Sequence, residues 1–120
     1  MPTTLSTKAA EGSTYVITAS FTDEDGAAEV PTAISWTLTN NSGTVINSRT
    51  KVAIAVPAAS INIVLGGLDL VLASAADNGQ RVMLIEATYN SALGNGLTLK
   101  DEVKFTVEDF TLVTTAWLTP

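Results

Sequence analysis

Neither histidine nor cysteine occurs in this chain, so any chemistry it performs must come from carboxylates, hydroxyls and a few amines. Nucleophilic dyads, the usual zinc sites and most general acid–base work at neutral pH need an imidazole or a thiolate, and are excluded. Paired carboxylates remain, because two suitably spaced acids suffice for glycoside hydrolysis. The candidates are Asp23, Glu24, Asp25, Asp69, Asp77, Glu86, Asp101 and Glu102. Nearly all of them fall in expected turns or on strand faces that alternation turns to water, where acids shape turns and hold solvent. The expectation is a protein with no catalytic residue, no cofactor and no enzymatic activity.

Asp23-Glu24-Asp25-Gly26 comes nearest to a metal-ligand pattern. Alternating acids ahead of glycine open a calcium loop, but over the roughly twelve residues of such a loop the series continues as Ala27, Ala28, Glu29, Val30 and Pro31. A turn between strands needs Asp and Gly for its own geometry, so no metal site is expected.

The surrounding chain has 120 residues, 46% of them hydrophobic and only 15% charged, and its 12 acids outnumber its 6 bases to give a net charge of −6. That length suits one domain with a single core. The negative charge opposes phosphate backbones and anionic head groups, so neither nucleic acid nor a membrane surface is an expected partner. Stability must come from packing, since no disulfide can form. MPTTLSTKAAEGS at the N-terminus lacks the apolar run of about seven residues that a secretory signal requires. Ala53 to Ala76 carries one charge, Asp69, but Pro57, Ser60, Asn62, Gly66 and Gly67 interrupt it short of the roughly 20 apolar residues that span a bilayer. It reads as buried strands with turns.

Leu97 to Glu108 shows the architecture most plainly. Thr98, Lys100, Glu102, Lys104, Thr106 and Glu108 share one face of a strand, and the other is apolar except for Asp101. Ser13 to Thr22 places Tyr15, Ile17, Ala19 and Phe21 together and stops at the acidic turn. Pro31 to Thr39 directs Ile34, Trp36 and Leu38 inward, Asn40-Asn41-Ser42-Gly43 reverses the chain, and Thr44 to Ser48 pairs back. Lys51 to Val56 and Ser60 to Leu65 are two further strands. Leu68 to Ala76 fits a short helix as well as a strand. Arg81 to Tyr89 turns Met83, Ile85, Ala87 and Tyr89 inward, with Glu86 outward beside Val82, Leu84 and Thr88 on a face that another strand or subunit covers. Asn90 to Gly96 is a hairpin loop. About seven strands so spaced, with one possible short helix, describe an all-β antiparallel sandwich.

Trp36 in the middle of the third segment, and Ala76-Asp77-Asn78-Gly79 leading into a strand that ends at Tyr89, resemble the immunoglobulin-like sandwich with its core tryptophan on strand C and its D-x-G corner before strand F. The cysteine pair of antibody domains is absent, so Ile17, Ala19, Ile85 and Ala87 fill the space facing Trp36. A narrower resemblance covers Ser13 to Asp109. STYVITASFTDEDG, SWTLTNNSGTVINSR, EATY and LKDEVKFTVED are similar to a family of small immunoglobulin-like proteins of tailed bacteriophages. The resemblance implies a virion structural or accessory protein of the head or tail, with capsid or tail subunits as partners, further copies of itself among them, and a passage through the host cytoplasm during assembly.

The chain accordingly divides into an N-terminal arm (1–12), the sandwich (13–109) and a C-terminal apolar arm (110–120). That last segment carries no charge. Either Phe110 to Val113 extends the final strand and Trp117 folds back on the domain, or the segment docks on a neighbour through Phe110, Leu112, Val113, Trp117 and Leu118, tryptophan being enriched where binding energy concentrates. The expectation is docking, as in a capsid decoration or head or tail accessory protein. A receptor- or carbohydrate-binding module is the alternative. It favours aromatic residues in loops, and 40–43 and 90–96 contain none.

Overall fold

Alternation in five segments builds two sheets that face each other. The computed structural model describes residues 3–72 and 78–108. Its strands are β1 (Thr3–Thr4), β2 (Ala9–Ala10), β3 (Thr14–Ser20), β4 (Ala33–Asn40), β5 (Val52–Ala53), β6 (Ser60–Gly66), β7 (Gln80–Ser91) and β8 (Gly94–Glu108). One sheet has the order β1-β8-β7-β4-β5, with β2 also on β8, and the other consists of β3 and β6. β4, β7 and β8 run antiparallel to their neighbours, whereas β1 and β2 run parallel to β8. With β3, β4, β6, β7 and β8 taken as strands B, C, E, F and G, B pairs with E while C, F and G share the second sheet. This is immunoglobulin-like connectivity, and the protein is the expected all-β sandwich.

The inward faces meet in one core. Ile17 of β3, Ile34, Trp36 and Leu38 of β4, Ile63 and Leu65 of β6, Met83, Ile85 and Ala87 of β7, and Val103, Phe105 and Val107 of β8 are all buried in it. Trp36, 5% exposed, lies opposite Ile85 in register and beside Val52 of β5. Between the sheets Tyr15 stacks on Phe105 with ring centroids 5.0 Å apart, and the Tyr15 hydroxyl donates to the Thr7 carbonyl at 2.7 Å. At the β7 entrance Gly79 has φ +79°, and a Cβ there would overlap the Val107 carbonyl oxygen. Only glycine lets β7 start that close to β8.

Several boundaries differ from those that pattern alone suggests. Residues 3–10, expected within an N-terminal arm, lie along the sheet, where Thr3 faces Val103 and Ala9 faces Val107. The expected strand Thr44 to Ser48 is reduced to a single bridge from Val45 to Thr39, because Asn47 and Ser48 adopt φ of 52° and 57°, which no extended strand contains. Lys51 to Val56 shrinks to β5 for the same reason, Lys51 having φ 47°. Leu68 to Ala76 begins as a 3-10 turn, Gly67–Leu70; 73–77, Asp77 included, fall outside the described residues. The last hairpin is tighter than expected, with β7 reaching Ser91 and β8 starting at Gly94. Asn90 holds it by accepting the Gly96 N–H on its side-chain oxygen at 2.9 Å. Among the described residues no helix is long and apolar enough to cross a membrane.

Replacing Trp36 with Ala removes the largest side chain of the inter-sheet layer and should cost on the order of 3 to 5 kcal/mol. Denaturant titration checks this. A midpoint close to that of the parent would place Trp36 outside the load of the core.

Candidate functional site

Of the carboxylates named above, Asp23, Glu24, Asp69, Glu86 and Asp101 are each engaged by neighbouring groups of the fold. Asp23 accepts the N–H groups of Asp25 and Ala27 on one side-chain oxygen at 2.9 and 3.0 Å, while Gly26 turns the chain with φ +80°. Glu24 accepts from the Tyr89 and Ser91 hydroxyls at 3.1 Å each, which ties the acidic turn to the end of β7. Burial raises the Tyr89 pKa first; its hydrogen bond to Glu24 and the negative field of Glu24, Asp23 and Glu29 raise it further. Ligand oxygens of Asp23, Glu24 and Asp25 lie within 4.8 Å of one another, close enough to share a cation. The hydrogen bonds of Asp23 nevertheless explain its place as a turn former.

On the outer face of the large sheet Glu86 accepts from Lys51 at 3.2 Å and lies 3.5 Å from the Lys100 ammonium. The Lys51 hydrogen bond lowers its pKa; burial opposes that, and Lys100 adds to the lowering. Val82, Leu84 and Thr88 beside it are half-buried. Their flanks are residues of the same sheet: Thr39 and Lys104 for Val82, Thr37 and Glu102 for Leu84. Long polar side chains with apolar stems can shield such positions, so the half-burial needs no further strand. Asp101 is exposed and accepts the Glu102 N–H at 2.8 Å.

Asp69 is different, being 2% exposed. It accepts from Arg49 Nε at 2.7 Å, Asn47 Nδ2 at 2.8 Å and the Gly66 N–H at 3.2 Å. Burial pushes its pKa up, but the hydrogen bonds from Arg49, Asn47 and Gly66, with the Arg49 charge, outweigh burial and leave it below the ordinary aspartate value. Arg49 also stands 5.8 Å over the Trp36 ring. These contacts join the β4–β5 loop to the end of β6 and give Asp69 a structural role.

Two further buried charges were not singled out by pattern. Glu11 accepts the Leu72 N–H at 3.2 Å, and Arg81 donates to the carbonyls of Gln80 and Val71 at 2.9 and 3.1 Å. Both therefore hold the segment Val71–Leu72. Arg81 shares its strand parity with Met83, Ile85, Ala87 and Tyr89, so alternation alone places it inward. Nothing local marks Glu11.

Among the described residues a cleft of about 330 Å³ lies where β3 approaches β8, beside smaller hollows of about 310 and 260 Å³ on the large sheet. Its floor includes Ile17, Phe21, Ile85, Leu99 and Val103, which belong to the core or pack against it. Its rims are Thr18 and Ser20 on one side and Lys100 and Asp101 on the other. An apolar floor between polar rims suits a chain segment better than a reaction. The residues expected to bind a partner, Phe110, Leu112, Val113, Trp117 and Leu118, lie outside the described residues. No protein-family model matches the chain, and neither a curated protein nor a solved structure matches it.

Two outcomes follow from this geometry. Because the folded Asp69 has a lowered pKa, its stabilisation is complete above the unfolded aspartate pKa near 4 and is lost as pH falls through the lower folded value. Asp69→Asn should therefore lower stability at pH 7 by about 3 kcal/mol and flatten the decline below pH 4, read from melts across pH; a variant with the parent's full acid slope would remove Asp69 from that role. If the acidic turn is only a turn, millimolar calcium should leave the melting temperature unchanged, since a ligand selective for the native state raises it. A rise of several degrees that Asp23→Asn with Asp25→Asn abolishes would show a calcium site.

Proposed function

We propose that this chain is a non-enzymatic virion structural protein of a tailed bacteriophage that attaches to other capsid or tail subunits, as a decoration or head or tail accessory protein. The observation that carries the binding role is the apolar cleft between β3 and β8, in a chain that also has an uncharged segment after Asp109. A solvated tail is normally polar, because exposed apolar groups invite association. The virion assignment rests on the resemblance of the strand and turn phrases from Ser13 to Asp109. Support for a role without catalysis comes from Asp23, Glu24, Asp69 and Glu86, all held in turn, strand-end and ion-pair contacts. In this reading the sandwich is a rigid carrier, the segment from Phe110 to Leu118 is the anchor, and the acidic surface keeps particles apart.

Truncation after Asp109 should leave the melting temperature within a few degrees, because the strands close by Glu108, while attachment to particles is lost. Trp117→Ala should weaken attachment by about 2 kcal/mol or more. Co-sedimentation with purified particles, together with mass spectrometry of those particles for the chain itself, reads both. A truncated protein that melts much earlier and still binds would assign the tail to the domain's own core. Absence of the chain from particles would overturn the virion role.

A further inference from the structure

The smaller sheet has two edges that no strand pairs with among the described residues, the outer sides of β3 and β6, and of the two only that of β3 borders the cleft. The Phe21 N–H donates to Ala59 and the Gly67 N–H to Ser13, so the odd-numbered residues of β3 bond to β6 and the even-numbered ones, Val16, Thr18 and Ser20, direct N–H and C=O away from it. Past Ser20 the β6 side of the strand runs on into the acidic turn, where the Phe21 carbonyl accepts from Glu29 and the Asp23 N–H donates to Ala27, so the Thr22–Ala28 bridge leaves the outer edge uncovered. From Val16 to Ser20 no strand pairs with it among the described residues. β8 repeats the situation. The Val107 N–H donates to Gly79, so its even-numbered residues face outward, where the N–H groups of Leu5 and Glu11 reach the carbonyls of Lys104 and Glu108. β1 and β2 stand opposite 103–104 and 107–108 only, leaving Thr98 and Lys100 beyond them. The cleft lies between these two open edges.

A two-stranded sheet is marginal by itself, and an open edge is a template for one more strand. We propose that the edge of β3 receives residues 110–118 of a second copy of this chain as an added strand, with its alternate side chains on the floor of Ile17, Phe21, Ile85, Leu99 and Val103. The inference rests on the reading of 110–120 as a docking segment and names its acceptor. Phe110-Thr111-Leu112-Val113-Thr114-Thr115-Ala116-Trp117-Leu118 has no charge, glycine or proline and is rich in β-branched residues, a composition suited to a strand. Phe110, Leu112, Ala116 and Leu118 share one parity and can face the floor together. The chain's own segment does not serve. β8 ends at Glu108, five residues and about 17 Å beyond Val103 and nine residues and about 30 Å beyond Leu99, and β2 and β1 occupy its outer edge on the way back. A return would use up half of the segment or more before it lay along the floor. A strand given by each copy to the next is a head-to-tail contact, which produces rings or chains.

Complementary variants of the full chain test this. Thr18→Pro removes an outward N–H and leaves the β3–β6 backbone bonds in place, as proline on a strand edge allows, at the loss of the exposed Thr18 hydroxyl bond to Asn62, and so blocks the acceptor. Leu112→Asp puts a charge on the donor outside the sandwich. In analytical ultracentrifugation the parent should form concentration-dependent oligomers and each variant alone should remain monomeric. An equal mixture should give a dimer and stop there, because one variant still donates and the other still accepts. A synthetic peptide of residues 110–120 should bind Leu112→Asp at least tenfold more tightly than Thr18→Pro; if Thr18→Pro fails to fold, competition of the peptide against parent oligomers gives the same reading. A parent that stays monomeric, variants that still oligomerise, or a mixture that stays monomeric would overturn the proposal. If particle attachment nevertheless depends on the segment, the docking reading stands and only the acceptor is wrong.

Discussion

Trp36 lies in the apolar layer where the two sheets meet, and with no cysteine in the chain no disulfide helps that layer resist their separation. An indole fully removed from water contributes about 5 kcal/mol by its area, a large share of the net stability of a domain this size. The two sheets are unequal, one of six strands and one of two. The smaller sheet therefore depends on packing more than on its own hydrogen bonds, and the Tyr15–Phe105 stack and the burial of Ile17, Ile63 and Leu65 supply it.

Charge is placed around this layer where loops must be fastened. Asp69 gathers Asn47, Arg49 and the Gly66 backbone, and through Arg49 it reaches the face of the Trp36 ring. Glu11, in the turn after β2, and Arg81 of β7 act together on Val71 and Leu72. A buried ion pair adds little net stability over an apolar substitute, so these groups serve mainly to select one loop arrangement. That selection explains why the expected strand after Gly43 does not form. Pulling Asn47 and Arg49 towards Asp69 uses left-handed backbone at Asn47 and Ser48, which is incompatible with a continuous ladder.

Edges distinguish this sandwich more than its core does. β8 has 15 residues, yet β1 and β2 cover only part of its outer side, and among the described residues no strand pairs with the outer side of β3 beside it. Of the candidate carboxylates Asp101 stands on the cleft rim, while Asp23, Glu24, Asp69 and Glu86 lie elsewhere, in turns or ion pairs. What the fold offers a partner is backbone hydrogen bonding along a short edge and an apolar floor, and both suit an extended segment.

The inward residues were legible because strand alternation needs no knowledge of the partner strand. Tyr15, Ile17, Trp36, Met83, Ile85 and Phe105 follow from a period of two, and the turns at Gly26 and Gly43 follow from residues that accept positive φ at low cost. The same period places Arg81 inward, although its charge argues against it until the Val71 carbonyl is seen nearby. Pairing is another matter. That β1 and β2 run parallel to β8, that Asp69 is a buried hub and not a turn acid, and that an open cleft separates β3 from β8 all depend on contacts between residues far apart in the chain. Local propensity carries no term for such contacts. By itself the sequence determined which face of each strand is apolar and where most turns come; the tertiary structure decided which edges remain open, because an edge is open only by the absence of a neighbour.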